Sequence, residues 1–171
     1  MPLDHLWATW RSNYVNGVAD SRVSVGPDDV AGRSLFERIL DADGSDDEKF
    51  IVHRGDSCFV ILNRFPYTVG HLMVLPNRAV ASLVDLDDSE HDELWRLVRH
   101  AEGALRGATR CDGINVGLNL GAAAGGSQSD HLHVHCVPRW VGDTNFIGIA
   151  AETRVLPISL DDAYAQLLAV W

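Results

Sequence analysis

Histidines 131, 133 and 135 lie in the run Asp130-His131-Leu132-His133-Val134-His135-Cys136-Val137-Pro138 and alternate strictly with apolar residues. Alternation of period two is the pattern of a β-strand with one polar and one buried face. All three imidazoles are therefore expected on one face, each roughly 7 Å from the next. Immediately upstream, Gly121 to Ser127 is a run of Gly, Ala and Ser whose backbone amides no bulky side chain shields. A row of imidazoles beside bare amides suits phosphate chemistry or a metal. Imidazole is a common zinc ligand, but side chains at i, i+2 and i+4 of a strand diverge. They reach one ion at bonds of about 2 Å only if the outer two bend inward. No cysteine pair or evident carboxylate completes such a set, and a plain polar sheet face is the bland third reading. For phosphorus, a neutral imidazole nitrogen is nucleophilic near pH 7 and can form a phosphoramidate. The other ring nitrogen must then be held by an acceptor, for which a backbone carbonyl across the sheet would serve. Flanking histidines and loop amides would hold the phosphate charge. His133, with an imidazole on either side, is the expected nucleophile, and His131 and His135 the orienting or phosphate-binding pair.

The elements that must position these residues follow from periodicity. Residues 3–17 can form a helix with Leu3, Leu6, Trp7, Trp10 and Tyr14 on one side. A turn-rich segment runs from Asp20 to Gly32, a short helix from Ser34 to Leu40, and an acidic loop from Asp41 to Glu48. Strands are expected at Phe50–His53, Ser57–Asn63 and His71–Leu75, the last two joined by the loop Arg64 to Gly70. Ser89, with Asp92 three residues on, is read as the cap of a helix reaching about Arg106 and ended by Gly107. Asp112 to Leu120 alternates as a strand with Asn115, Gly117 and Asn119 on one face, paired with the histidine strand. Asp143 to Pro157 reads as irregular or a short extra strand, and Leu160 to Trp171 as a terminal helix. The fold class is α+β with a mainly antiparallel sheet, in one domain spanning 1–171.

Composition sets the bounds. A chain of 171 residues with 46% hydrophobic and 22% charged residues is an ordinary globule able to bury a core. A net charge of −10 argues against a general nucleic-acid binder. Apolar runs are too short to span a bilayer, and the N-terminus lacks the pattern of a signal peptide. Cys58, Cys111 and Cys136 are odd in number and widely spaced, so they read as reduced thiols of a cytoplasmic protein.

The run His131 to Val137 fits the histidine-triad (HIT) pattern of His-φ-His-φ-His-φ-φ at every position. Two further blocks agree: Leu62 to Val74 looks like the nucleotide-side hairpin of these proteins, and Asn115 to Gly126 like the strand and loop before the triad. Together the matches cover about residues 35 to 140. Pro138 to Phe146 and Thr153 to Pro157, with Leu6, Trp7, Arg11 and Tyr14, resemble in particular the actinobacterial-type branch that phosphorolyses diadenosine tetraphosphate (Ap4A). The resemblance implies a HIT-like fold and a homodimer or tetramer. It also implies His133 as nucleophile on an α-phosphate, giving a nucleotidyl-histidine intermediate. Asn63 is then expected near the nucleoside, and Asn119, Gly125, Gly126, Ser127 and His135 near the phosphates. Trp140 either stacks an adenine or packs.

What attacks the intermediate is the sharpest local question. Hydrolases of the fragile-HIT type carry Gln four residues before the first triad histidine, where this chain has Ser127. A small loop with amide and hydroxyl donors suits inorganic phosphate, so phosphorolysis of Ap4A to ATP and ADP is the leading expectation. A register shift onto Gln128 would restore a hydrolase-like arrangement, and a nucleotide- or metal-binding role without catalysis is the third reading. Many relatives carry an N-terminal CxxC that helps bind structural zinc; here the residues are Gly32-Arg33-Ser34-Leu35-Phe36, and no structural zinc is expected. No tightly bound cofactor is expected either, and a divalent ion would accompany the substrate. His53, His91 and His100 are read as surface or packing residues, and His71, beside the hairpin turn, as a support for the sheet or a residue that reaches the site.

Overall fold

A computed structural model describes residues 32–125, 128–144 and 155–171. The helix expected over 3–17 lies outside them, as do Gly126 and Ser127. Helices α1 (Leu35–Asp41) and α2 (Asp46–Lys49) precede strands β1 (Ile51–Arg54), β2 (Cys58–Leu62) and β3 (Leu72–Pro76). Helix α3 (Asp88–Thr109), strands β4 (Gly113–Gly117) and β5 (Val134–Arg139), and helix α4 (Leu160–Leu168) follow. The strands form one sheet in the order β1-β2-β3-β5-β4, and every pairing is antiparallel. The α+β expectation with a mainly antiparallel sheet holds.

Each face of the sheet buries its own side chains. Val60, Leu62, Leu72, Val74, Val134 and Cys136 pack against Leu94, Leu97, Val98, Ala101 and Leu105 of α3, with Tyr164 and Leu167 of α4. On the other face Ile51, Phe59, Ile61, Met73 and Leu75 meet Phe36 of α1. Strands β2 and β3 are therefore buried throughout, which is why they read as continuous apolar runs.

Several boundaries differ from those the sequence suggests. The histidine strand begins only at Val134, so His131 and His133 precede it. The cause is Pro76: the β3–β5 register runs Leu72↔Cys136, Met73↔His135, Val74↔Val134, and extending it would bring Pro76, which has no N–H, opposite Leu132. Leu132 instead donates its N–H to the Val80 carbonyl at 2.6 Å. The apolar alternation persists all the same, since Leu132, Val134 and Cys136 all enter the core under α3. Helix α3 is capped by Asp87, not Ser89: Asp87 accepts from the Glu90 N–H, and Glu90 accepts from the Asp87 N–H. The α3 helix also runs through Gly107 to Thr109 and ends at Arg110, which takes φ 50°. The Thr109 hydroxyl donates to the Leu105 carbonyl at 2.7 Å, closing that last turn. The acidic segment is partly helical, because Ser45 and Glu48 form a capping box that starts α2. Strand β4 stops at Gly117, short of Leu120.

Candidate active site

The chemistry of the site is written in the direction of its hydrogen bonds. A carbonyl only accepts, so any imidazole nitrogen bonded to one must carry a proton. His133 Nδ1 lies 2.8 Å from the carbonyl oxygen of His131 and therefore donates to it. The neutral ring then has its lone pair on Nε2. Burial pushes the His133 pKa below the usual imidazole value, which keeps the ring neutral at pH 7. The acceptor is the carbonyl two residues back in the chain, not one across the sheet. His133 is 8% exposed, so its ring is held by protein and still borders the surface.

His131 is fully buried, and both its nitrogens are engaged. Nε2 donates to the Pro76 carbonyl at 2.9 Å, and Nδ1 lies 2.6 Å from the Ser34 hydroxyl. Burial also lowers its pKa. A ring held this way orients the backbone and leaves no nitrogen for a phosphate oxygen. Phe36 sits at 5.4 Å from the centroids of both His131 and His133, filling the space beneath them.

The third imidazole belongs to a second chain of bonds. His71 Nδ1 takes the Tyr67 N–H at 3.1 Å and faces the Asn63 amide nitrogen at 3.3 Å. An accepting Nδ1 leaves the His71 proton on Nε2, which donates to His135 Nδ1 at 3.0 Å. His135 in turn carries its proton on Nε2. Its ring stands 4.8 Å from that of His133, centroid to centroid, at 80°. His71 is thus bonded to the triad, the second of the two roles the sequence leaves open for it. The alternation of β3 puts His71 and Met73 on one face; only the register Met73↔His135 reveals that this face meets the triad. Tyr67 covers the pair, stacked 5.8 Å from His135.

The other sequence candidates fall at different distances. Asn63 holds the β2–β3 loop through its side-chain oxygen, which accepts the Phe65 N–H at 2.9 Å, and touches the site through His71. Gly117 pairs with His135, and among the described residues no atom lies within 4 Å of where its Cβ would stand. Asn119 is half-buried two residues beyond β4. Gly125 has φ 88°, a left-handed turn that suits glycine. Gly126 and Ser127 lie outside the described residues. Trp140 follows the end of β5, five residues and about 16 Å of strand from His135. The structure does not bring it to the imidazoles; its loop is held by Arg139, which bonds both oxygens of Asp143 at 2.6 and 2.8 Å.

Among the described residues no group of three His, Cys, Asp or Glu is placed to hold a metal ion. In the run Gly32 to Phe36, where many relatives carry a CxxC, the Ser34 hydroxyl is bonded to His131.

A lone-pair imidazole beside a donor imidazole, on an antiparallel sheet backed by one long helix, defines a protein of the histidine-triad class. The chain belongs to the HIT domain family, whose model matches residues 45–141. It is 42% identical over 170 residues to AP-4-A phosphorylase of Mycobacterium tuberculosis, covering 99% of this chain and 85% of that protein. It is 32% identical over 93 residues, 54% of this chain and 50% of the other, to the asymmetrical bis(5'-nucleosyl)-tetraphosphatase of Schizosaccharomyces pombe. A zinc-bound histidine triad family protein from Mycobacterium smegmatis shares the fold, with TM-score 0.65, 23% identity, and coverage of 80% of this chain and 91% of that one.

Proposed function

We propose that this protein cleaves Ap4A by phosphorolysis through an adenylyl-histidine intermediate. The observation that carries the reading is the bond from His133 Nδ1 to the His131 carbonyl, which leaves a lone pair on Nε2. In the first step Nε2 attacks the α-phosphorus and a P–N bond forms. The bond from that phosphorus to the α–β bridging oxygen breaks, and ATP leaves. The His135 Nε2–H donates to phosphate oxygens as their charge grows. In the second step an oxygen of inorganic phosphate attacks the same phosphorus, the P–N bond breaks, and ADP is released with His133 neutral again. Phosphate as the second nucleophile is supported by the extended likeness to AP-4-A phosphorylase of M. tuberculosis. Ser127, where a glutamine would serve water, supports it further.

The hydrolytic alternative has its own support, since relatives include a tetraphosphatase and a bis(5'-adenosyl)-triphosphatase. A divalent cation would enter with the polyphosphate as its counter-ion. The free, buried cysteines fit a cytoplasmic protein, with Cys58 and Cys136 thiols pushed up to about 12 by burial. Among the described residues no helix is long and apolar enough to cross a membrane. The sheet ends in β4, whose outer edge is exposed and available to a second copy in a homodimer or tetramer. Product analysis on Ap4A decides the reaction: ATP and ADP only when phosphate is present supports phosphorolysis, and AMP with ATP in its absence supports hydrolysis.

A further inference from the structure

Ser34 lies at the start of α1, 97 residues from His131, yet its side chain is part of the triad's bonding. It is 3% exposed, so water does not compete for its hydroxyl. The oxygen accepts the Glu37 N–H at 3.2 Å, the ordinary duty of a helix cap. Capping uses a lone pair and leaves the hydroxyl proton to spare. That proton has one evident destination, His131 Nδ1 at 2.6 Å, because His131 Nε2 already donates to a carbonyl.

We propose that Ser34 is a positioning residue for nucleotidyl transfer, its hydroxyl fixing the His131 tautomer and thereby the carbonyl that holds the His133 proton. The bonds run one way: Ser34 O–H to His131 Nδ1, His131 Nε2–H to the Pro76 carbonyl, His133 Nδ1–H to the His131 carbonyl. Reversing the His131 tautomer would set two lone pairs, Nε2 and the Pro76 oxygen, against each other. The ring would have to turn, and the carbonyl that fixes His133 would turn with it. The surroundings resist such movement while Ser34 is in place. Glu37 accepts the Ser34 N–H at 2.9 Å and the Ala79 N–H at 3.0 Å, joining α1 to the 76–80 segment that also holds Leu132. Burial keeps His131 from protonating, so a neutral ring with one defined tautomer is the state being selected.

The test separates capping from proton donation and rests on the adenylyl-transfer reading above. Ser34→Gly retains most cap strength and removes the hydroxyl, whereas Ser34→Thr retains the hydroxyl and the cap. Adenylylation of His133 by Ap4A without phosphate is followed by rapid quench, and the His131 tautomer by imidazole ¹⁵N shifts of the free protein. Ser34→Gly is expected to slow adenylylation about ten-fold, the scale of one buried acceptor losing its donor, and to move the His131 Nδ1 shift. Ser34→Thr should stay within about two- to three-fold of wild type with the wild-type shift. Wild-type rate and tautomer in Ser34→Gly overturn the proposal. So does a slowing in Ser34→Thr equal to that in Ser34→Gly, which would make the hydroxyl proton irrelevant. If wild type itself forms no adduct, the functional reading fails, and the ¹⁵N tautomer comparison still judges Ser34.

Discussion

Two histidine clusters occupy this molecule, and they differ in one respect. At the site, His71, His131, His133 and His135 are linked by bonds whose direction assigns a proton to each ring. Near the far edge of the sheet, His53 and His100 flank Trp171, at centroid distances of 5.6 and 4.6 Å, with Arg96 and Arg99 alongside. That second cluster is as rich in titratable groups, but its imidazole nitrogens make no hydrogen bond among the described residues. Burial lowers the His53 pKa, with the nearby His100 adding to the effect, yet no partner among the described residues selects which nitrogen holds the proton. Shifted titration alone is thus shared by both clusters. A defined tautomer belongs to one, and it turns an imidazole into a nucleophile.

The largest effect should come from breaking the site where the lone pair sits. His133→Ala should lower Ap4A cleavage on the order of 10⁴-fold or more, whereas His100→Ala should leave it within about two-fold. Steady-state rates on both variants check this, and comparable losses would erase the distinction. Next, His71→Ala removes the donor to His135 Nδ1 and should cost about 10- to 100-fold in kcat, the range for a buried acceptor left unpaired. A loss in KM alone would place His71 outside the bonding chain.

Acid sharpens the comparison further. His131 and His133 stay neutral in the fold below pH 6.5, where unfolded imidazoles take up protons. The unfolded state then binds more protons, so folding stability contributed by these groups falls as pH drops below about 6.5 and is flat above 7. The adenylylation rate should likewise persist through pH 6.5 and fall only at lower pH. Denaturant titrations and a pH–rate series measure both, and an acid limb centred above 6.5 would show His133 to be less desolvated than its burial implies. The smallest effect is expected at Trp171: His53→Ala or His100→Ala should cost about 1 kcal/mol, or roughly 2–4 °C in Tm.

Much of the site was legible in the chain because period two does not depend on tertiary detail. Leu132, Val134 and Cys136 go to one side and the histidines to the other even where the ladder is broken. Cap residues were less legible: Ser89 and Asp87 both satisfy the local pattern, and Arg78, bonded to Glu90 at 2.6 Å, belongs to a different segment. His71 and Ser34 were least legible, since their partners lie 64 and 97 residues away. Spacing can assign a residue to a face. It cannot say which strand that face will meet.

The proposed chemistry needs the lone pair at His133 Nε2. Incubating the protein with Ap4A in phosphate-free buffer, quenching, and mapping the modified peptide tests it most directly. The expected result is one AMP group bonded to His133 and discharged as ADP when phosphate is added. No adduct, or AMP on His131 or His135, would contradict it.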